Sequence, residues 1–263
     1  MLNRDLDSTL KLQYNDIHLW IINPQDISDP TRLCSLKKLL TPFELAKTER
    51  YLSPSAQHNA LITRAFVRLV LSQYAPILPH DWIFDINDQG KPELKTPPLA
   101  LRFNLSHNND LVVCAVCLDH DIGCDVESLR RKISIDAISK RYFSTIEYQN
   151  IKKLPPSRQS AQFFKYWTLK EAFVKATGFG ISQGLDTFSF EIGESETAKF
   201  NDNICVSFSS QYRIKQNNNW YSCLTYPDPT HCVAICINAG NKKTDFTLQQ
   251  FFATDHLSEF KNI

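Results

Sequence analysis

Net charge of one sign is what this chain most lacks: 29 Lys and Arg against 28 Asp and Glu leave a formal +1 at pH 7. Such a chain has no broad field to draw in nucleic acid or an anionic membrane, so neither is expected as a partner. Also missing is any run of the roughly 18 apolar residues that a membrane-spanning helix needs. The opening Met1 to Asp7 has no apolar core of signal-peptide length, so a cytoplasmic location is expected. Without an export signal, the eight cysteines do not read as a disulfide scaffold. Cys114 and Cys117 form a C-x-x-C within an apolar run that reads as a buried strand. Residues three apart on a strand face opposite sides, so the pair is poorly placed to share a metal. Cys232 and Cys236 lie in a similar run, and all four read as small buried hydrophobes.

What is present is 43% hydrophobic residues in a chain of 263, enough for one large domain or two small ones. The pattern is mixed α/β. Ile17 to Ile22 reads as a strand, and Thr41-Pro42-Phe43-Glu44 as a capping box that opens a helix to about Leu52. Ser53-Pro54 opens a longer helix to about Tyr74, with Leu61, Ala65, Phe66, Leu69 and Val70 as its apolar stripe. Trp82 to Ile86 reads as a strand, followed by three more at Leu101 to Leu105, Leu111 to Leu118 and Asp121 to Val126. Helices are expected over Ser134 to Phe143, Thr145 to Lys153 and Ser157 to Ala176, the last ended by Gly178. Strands then return at Phe188 to Ile192, Ile204 to Ser209, Trp220 to Thr225 and His231 to Ile237. This order suggests two related α/β halves meeting near Leu105 to Leu111, although no repeat is visible in the letters themselves.

Two segments carry chemistry. In Gly123-Cys124-Asp125-Val126-Glu127, strand periodicity points Asp125 and Glu127 to one face. In Trp167-Thr168-Leu169-Lys170-Glu171-Ala172-Phe173-Val174-Lys175, helical periodicity puts Trp167, Glu171 and Lys175 on one face. Brought together, they make three carboxylates, an ammonium and an aromatic wall, a cluster suited to magnesium and a phosphorylated substrate. Ser106-His107 ends the strand Phe103-Asn104-Leu105. Adjacent strand residues diverge and no glycine elbow surrounds Ser106, so the pair suits donors to a phosphate, or a plain polar turn, better than an acyl-transfer dyad. Arg64 and Arg68, one helical turn apart, could clamp a phosphate or simply be solvated. Gly90-Lys91-Pro92 reads first as a turn. Ser144-Thr145-Ile146-Glu147 has capping-box spacing, which alone explains Glu147.

Together, the blocks Gly90 to Pro92, Phe103 to His107, Ile122 to Glu127, Phe143 to Tyr148 and Trp167 to Lys175 resemble the 4'-phosphopantetheinyl transferase superfamily. The resemblance is to its larger, surfactin-synthetase-type members, which act as pseudo-dimeric monomers. Gly178 to Leu185 and Phe188 to Glu191 continue the match, which covers roughly Phe43 to Ile192. It implies an α+β fold of two similar α/β subdomains with pseudo-twofold symmetry: residues 1–106, residues 107–240 with the metal site, and a tail over 241–263. It also implies transfer of the phosphopantetheine arm of coenzyme A to a serine of an apo carrier protein, with release of 3',5'-ADP. By the same resemblance Asp125, Glu127 and Glu171 hold magnesium, Glu171 alternatively taking the serine proton, and Lys175 contacts the pyrophosphate. Arg68, Lys91, Pro92, Ser106 and His107 would hold the 3'-phosphate and adenine end of coenzyme A, and Glu147 would stand in the outer shell of the metal.

One departure concerns Ser53 to Asn59, where the family often carries basic residues and this chain offers only His58. Beyond the metal strand, Ser128 to Arg141 combines Arg130, Arg131, Lys132, Lys140 and Arg141 with Leu129, Ile133, Ile135 and Ile138. Carrier proteins of this class are typically acidic around the modified serine, so the segment reads either as their docking surface or as an ordinary solvated linker. Two other readings use the same residues: a magnesium-dependent hydrolase or nucleotidyl transferase, and a non-catalytic coenzyme A or carrier-binding module.

Overall fold

The computed structural model describes residues 9–87, 90–180, 184–193, 200, 203–212 and 218–258. It divides into two compact units: Met1–Asn87, Pro92–Asp119 and Gln249–Ile263 in the first, Asp88–Lys91 and His120–Leu248 in the second.

In the first unit, strand β1 (Asp16–Ile22) is followed by helices α1 (Pro30–Lys37), α2 (Pro42–Glu49) and α3 (Pro54–Leu71). All three start with Pro at the first turn, behind the side-chain caps Asp29, Thr41 and Ser53. Proline lacks only a donor that a helix start leaves unused, so each boundary is written locally. Thr41 and Glu44 close the expected capping box. α3 ends at Leu71, short of the expected Tyr74, because Gln73 and Tyr74 turn back onto Val70 and Leu71 through tighter backbone bonds. Next come a short antiparallel hairpin, β2 (Phe84–Ile86) with β3 (Pro92–Leu94), and the strands β4 (Leu101–His107) and β5 (Val112–Leu118). The stripe of α3 shares a core with Trp20 and Ile22 of β1 and Val112, Cys114 and Val116 of β5. Cys114 and Cys117 are buried free thiols.

The second unit repeats the order: strand β6 (Asp121–Ser128), helices α4 (Ile135–Tyr142), α5 (Thr145–Lys152) and α6 (Pro156–Thr177), hairpin β7 (Phe188–Ile192) with β8 (Ile204–Phe208), then β9 (Trp220–Thr225) and β10 (His231–Asn238). In both units the opening strand pairs antiparallel with the closing strand, β1 with β5 and β6 with β10, and the closing strand's other neighbour is the strand before it. The core of the second unit packs Phe163, Phe164, Leu169, Ala172 and Phe173 of α6 against Cys232, Ala234 and Cys236 of β10 and the rings of Phe188 and Phe190.

The expected boundary at 106/107 falls inside the β4–β5 hairpin. β5 is the central partner of both β1 and β4, so the first unit keeps it and ends at Asp119. Residues of the expected tail from Gln249 on also rejoin the first unit: β11 (Thr247–Phe252), which they largely make up, is an edge strand beside β1, followed by the single turn α7 (Ala253–His256). The N-terminal Met1 to Asp7 and part of the Gly178 to Leu185 block lie outside the described residues.

Candidate active site

The site is built where β6 crosses α6. Gly123, Asp125 and Glu127 alternate onto one face of β6. At Gly123 the two elements touch main chain to main chain: a Cβ there would overlap the carbonyl of Ala172 and the amide nitrogen of Ala176. That approach brings the side chains beyond it within reach of the next turns of the helix. Lys175 Nζ donates to Asp125 Oδ1 at 2.7 Å, with the carboxylate only 9% exposed and the lysine 29%. Glu127 accepts from Arg131, at 3.2 Å to Oε1 and 3.3 Å to Oε2, and from Trp167 of α6.

The electrostatics are those of a crowded anionic site. Burial raises the Glu171 carboxyl to about 7, repulsion from Asp125 and Glu127 adds to it, and Lys175 opposes both. Burial likewise raises Glu127, with Asp125 adding to the shift and Arg131 opposing it. For Lys175 burial favours loss of the proton, but Asp125, Cys124 and Glu171 outweigh it and the ammonium holds its proton more tightly than usual. Among the described residues no three acidic, His or Cys side chains converge closely enough to ligate one ion. The chemistry of the donor set fits a hard divalent cation: Asp125, Glu127 and Glu171 offer carboxylate oxygens close enough to repel one another, and the lysine ammonium supplies the positive charge on Asp125.

The remaining predicted residues have varied placements. Ser106 and His107 close β4, opposite Val113 and Val112 of β5, with Ser106 buried and His107 exposed. Pro92 opens β3 opposite Ile86 and offers no N–H.

Arg68 does not stand ready for a phosphate. Its buried guanidinium donates to Glu44 (2.8 and 3.3 Å) and to the carbonyls of Pro79 (2.9 Å) and Trp82 (3.0 Å), and it lies over the Phe84 ring. Nε, Nη1 and Nη2 all donate inside the first unit. Arg64 donates to the carbonyl of Ala60, and a ring nitrogen of His58 is 2.9 Å from the carbonyl of Pro24.

Glu147 is likewise structural rather than an outer-shell group. It is fully buried, with Oε2 accepting from the Ser144 amide, the Ser144 hydroxyl and Lys170 Nζ (2.8 Å), and Oε1 accepting from the Phe190 amide. Lys170 also donates to the carbonyls of Leu185 and Phe188, and its ammonium lies over the Phe188 ring. This cation had no role in the sequence reading. The signal was there: Phe163, Tyr166, Lys170 and Phe173 follow helical spacing, which puts Lys170 on the apolar face. The apolar side chains of the basic segment, Leu129, Ile133, Ile135 and Ile138, pack against the second core, while its five basic residues are exposed.

Two family models match the chain, 4'-phosphopantetheinyl transferase, N-terminal, over residues 28–119 and the 4'-phosphopantetheinyl transferase superfamily over residues 121–236. The chain is 35% identical over 192 residues to the 4'-phosphopantetheinyl transferase HetI of Nostoc sp., covering 72% of this chain and 80% of that protein. It is 35% identical over 179 residues to 4'-phosphopantetheinyl transferase psf-1 of Bacillus pumilus, covering 67% and 75%. With 4'-phosphopantetheinyl transferase Sfp of Bacillus subtilis it shares 29% identity over 191 residues, covering 72% and 84%. The two matched segments meet where β5 gives way to β6, the same place at which the compact units divide. The chain belongs to the 4'-phosphopantetheinyl transferase superfamily.

Proposed function

We propose that this chain moves the phosphopantetheine arm of coenzyme A onto a serine of an apo carrier protein, releasing 3',5'-ADP, and that the residues of β6 and α6 do the chemistry. The observation that carries the assignment of residues is the anionic group of Asp125, Glu127 and Glu171 with the Lys175 ammonium seated on it. Asp125 and Glu127, with Glu171, would hold magnesium, which when bound polarises the attacked phosphorus and stabilises the leaving phosphate. Glu171, whose carboxyl burial raises, would be a stronger base than an ordinary carboxylate and could take the proton of a serine hydroxyl. Lys175 keeps a positive charge where the pyrophosphate gains a negative one. Ser106 and His107 are retained as candidates for the far end of coenzyme A.

The chain is proposed to act as a monomer, since one polypeptide already carries the element order twice. A cytoplasmic location is supported by eight free thiols, six of them buried. Near-neutral charge leaves no broad surface for nucleic acid or an anionic membrane. No described helix is long and apolar enough to cross a membrane.

The test is mass spectrometry of an apo carrier protein incubated with the chain, coenzyme A and magnesium. A gain of the phosphopantetheine mass is expected. Hydrolysis of coenzyme A without that gain would point to the hydrolase reading, and binding without reaction to the binding-module reading.

A further inference from the structure

We infer that Lys91 is a positioning residue that fixes the end of α6, and with it Lys175, rather than a ligand for the 3'-phosphate of coenzyme A. This goes against the role the family resemblance implies for Lys91 and rests on the proposed transferase reaction. Lys91 Nζ donates to the carbonyl of Lys175 at 2.8 Å and to the carbonyl of Ile122 at 3.1 Å. Both acceptors are main-chain carbonyls, one on a strand and one on a helix. The carbonyl of Lys175 belongs to the last turn of α6, whose C-cap is Gly178, and the helix dipole there favours a cation. Ile122 lies on β6, which among the described residues is an edge strand of its sheet, so a carbonyl on its outer side can take a side-chain donor.

The two bonds flank the site. Ile122 precedes Gly123, where strand and helix touch main chain to main chain, and Lys175 is the residue whose own ammonium meets Asp125. One cation therefore ties the helix end to the strand on the far side of that contact. Asp125 and Lys175 are thereby held in register from both ends: side chain to side chain above, carbonyl to ammonium to carbonyl below. With two carbonyls engaged, Lys91 is oriented toward main chain rather than toward a ligand.

The experiment compares wild type with Lys91→Met on coenzyme A and on 3'-dephospho-coenzyme A, with the carrier saturating. The inference expects kcat to fall by about tenfold to a hundredfold, as for a small misplacement of reacting groups, and by the same factor on both substrates. KM for either should move less than about twofold, and amides 176–178 should exchange hydrogen faster in the variant. A loss confined to coenzyme A and expressed in KM would overturn it and restore the phosphate role. Unchanged kcat or unchanged exchange at 176–178 would overturn it as well. Should wild type transfer nothing, the functional reading fails on its own, and the exchange measurement still decides whether Lys91 holds the helix end.

Discussion

Lys170 and Glu147 meet at 2.8 Å with no solvent exposure on either side. Burial pulls the lysine toward losing its proton, and the Glu147 carboxylate opposes this. A buried pair is a weak net stabiliser, but removing one partner strands the other. Lys170→Met and Glu147→Gln should each cost about 3–5 kcal/mol in urea unfolding, and the double variant clearly less than the sum. An additive double variant would mean the two charges do not compensate each other. Glu171 invites a different measurement. Glu171→Gln keeps the volume and removes the base, so transfer should fall about 10²–10⁴-fold while coenzyme A binding, followed calorimetrically, survives. Loss of magnesium-dependent binding in that variant would make Glu171 chiefly a ligand. In the first unit His18 is buried, 2.9 Å from the Tyr74 hydroxyl, and burial lowers its pKa below 6.5 against a smaller opposing effect of Asp16. The native ring refuses a proton that the unfolded chain accepts just below 6.5, so stability rises with pH through that window and is full above it. His18→Gln should flatten the fall in melting temperature between neutral pH and pH about 5.

At the scale of elements, Gly123 decides how β6 and α6 approach. A methyl group there meets backbone on both counts, and backbone cannot swing aside as a side chain does. Gly123→Ala should therefore destabilise by about 1–3 kcal/mol or more and reduce transfer further than the stability loss explains, because Asp125 rides on the same strand. Normal turnover in a folded variant would show that the close approach does not set the site. These elements were readable from the letters because their signals are local. The period of two in Asp125 and Glu127, the period of 3.6 in Trp167 to Lys175 and the Ser144–Glu147 box each need only a few neighbouring residues. The contacts of Lys91 and Arg68 were not readable, for the opposite reason. Their partners include the main-chain carbonyls of Ile122, Lys175, Pro79 and Trp82, and a carbonyl has no letter; the carboxylate of Glu44 lies 24 residues from Arg68. β11 was missed because an edge strand bordering one neighbour needs little apolar alternation.

Across the whole molecule, balanced charge makes local patches matter more than the overall field. Arg130, Lys132, Lys140 and Arg141 are exposed around α4, whereas Arg131 is engaged with Glu127 and would confound a test. Reversing the charge of Arg130, Lys132 and Lys140 should raise KM for an acidic carrier, flatten its salt dependence and leave KM for coenzyme A unchanged. An unchanged carrier KM at low ionic strength would place docking elsewhere. The repeated order of strand, helices, hairpin and strands was legible as two related halves, but not their boundary, since β5 is claimed by both β1 and β4 through pairings no letter records. The placement of β11 bears on how the polypeptide is born. Its Phe251 stacks on Trp20 at 4.8 Å and meets His18 at 4.9 Å, so the sheet that begins with β1 is finished by a strand synthesised more than 220 residues later. On the ribosome, the second unit has its described strands β6 to β10 in hand while the first still shows a bare edge at β1. The half that starts first is completed last, and the nascent chain must keep that edge from other strands until β11 itself has been made.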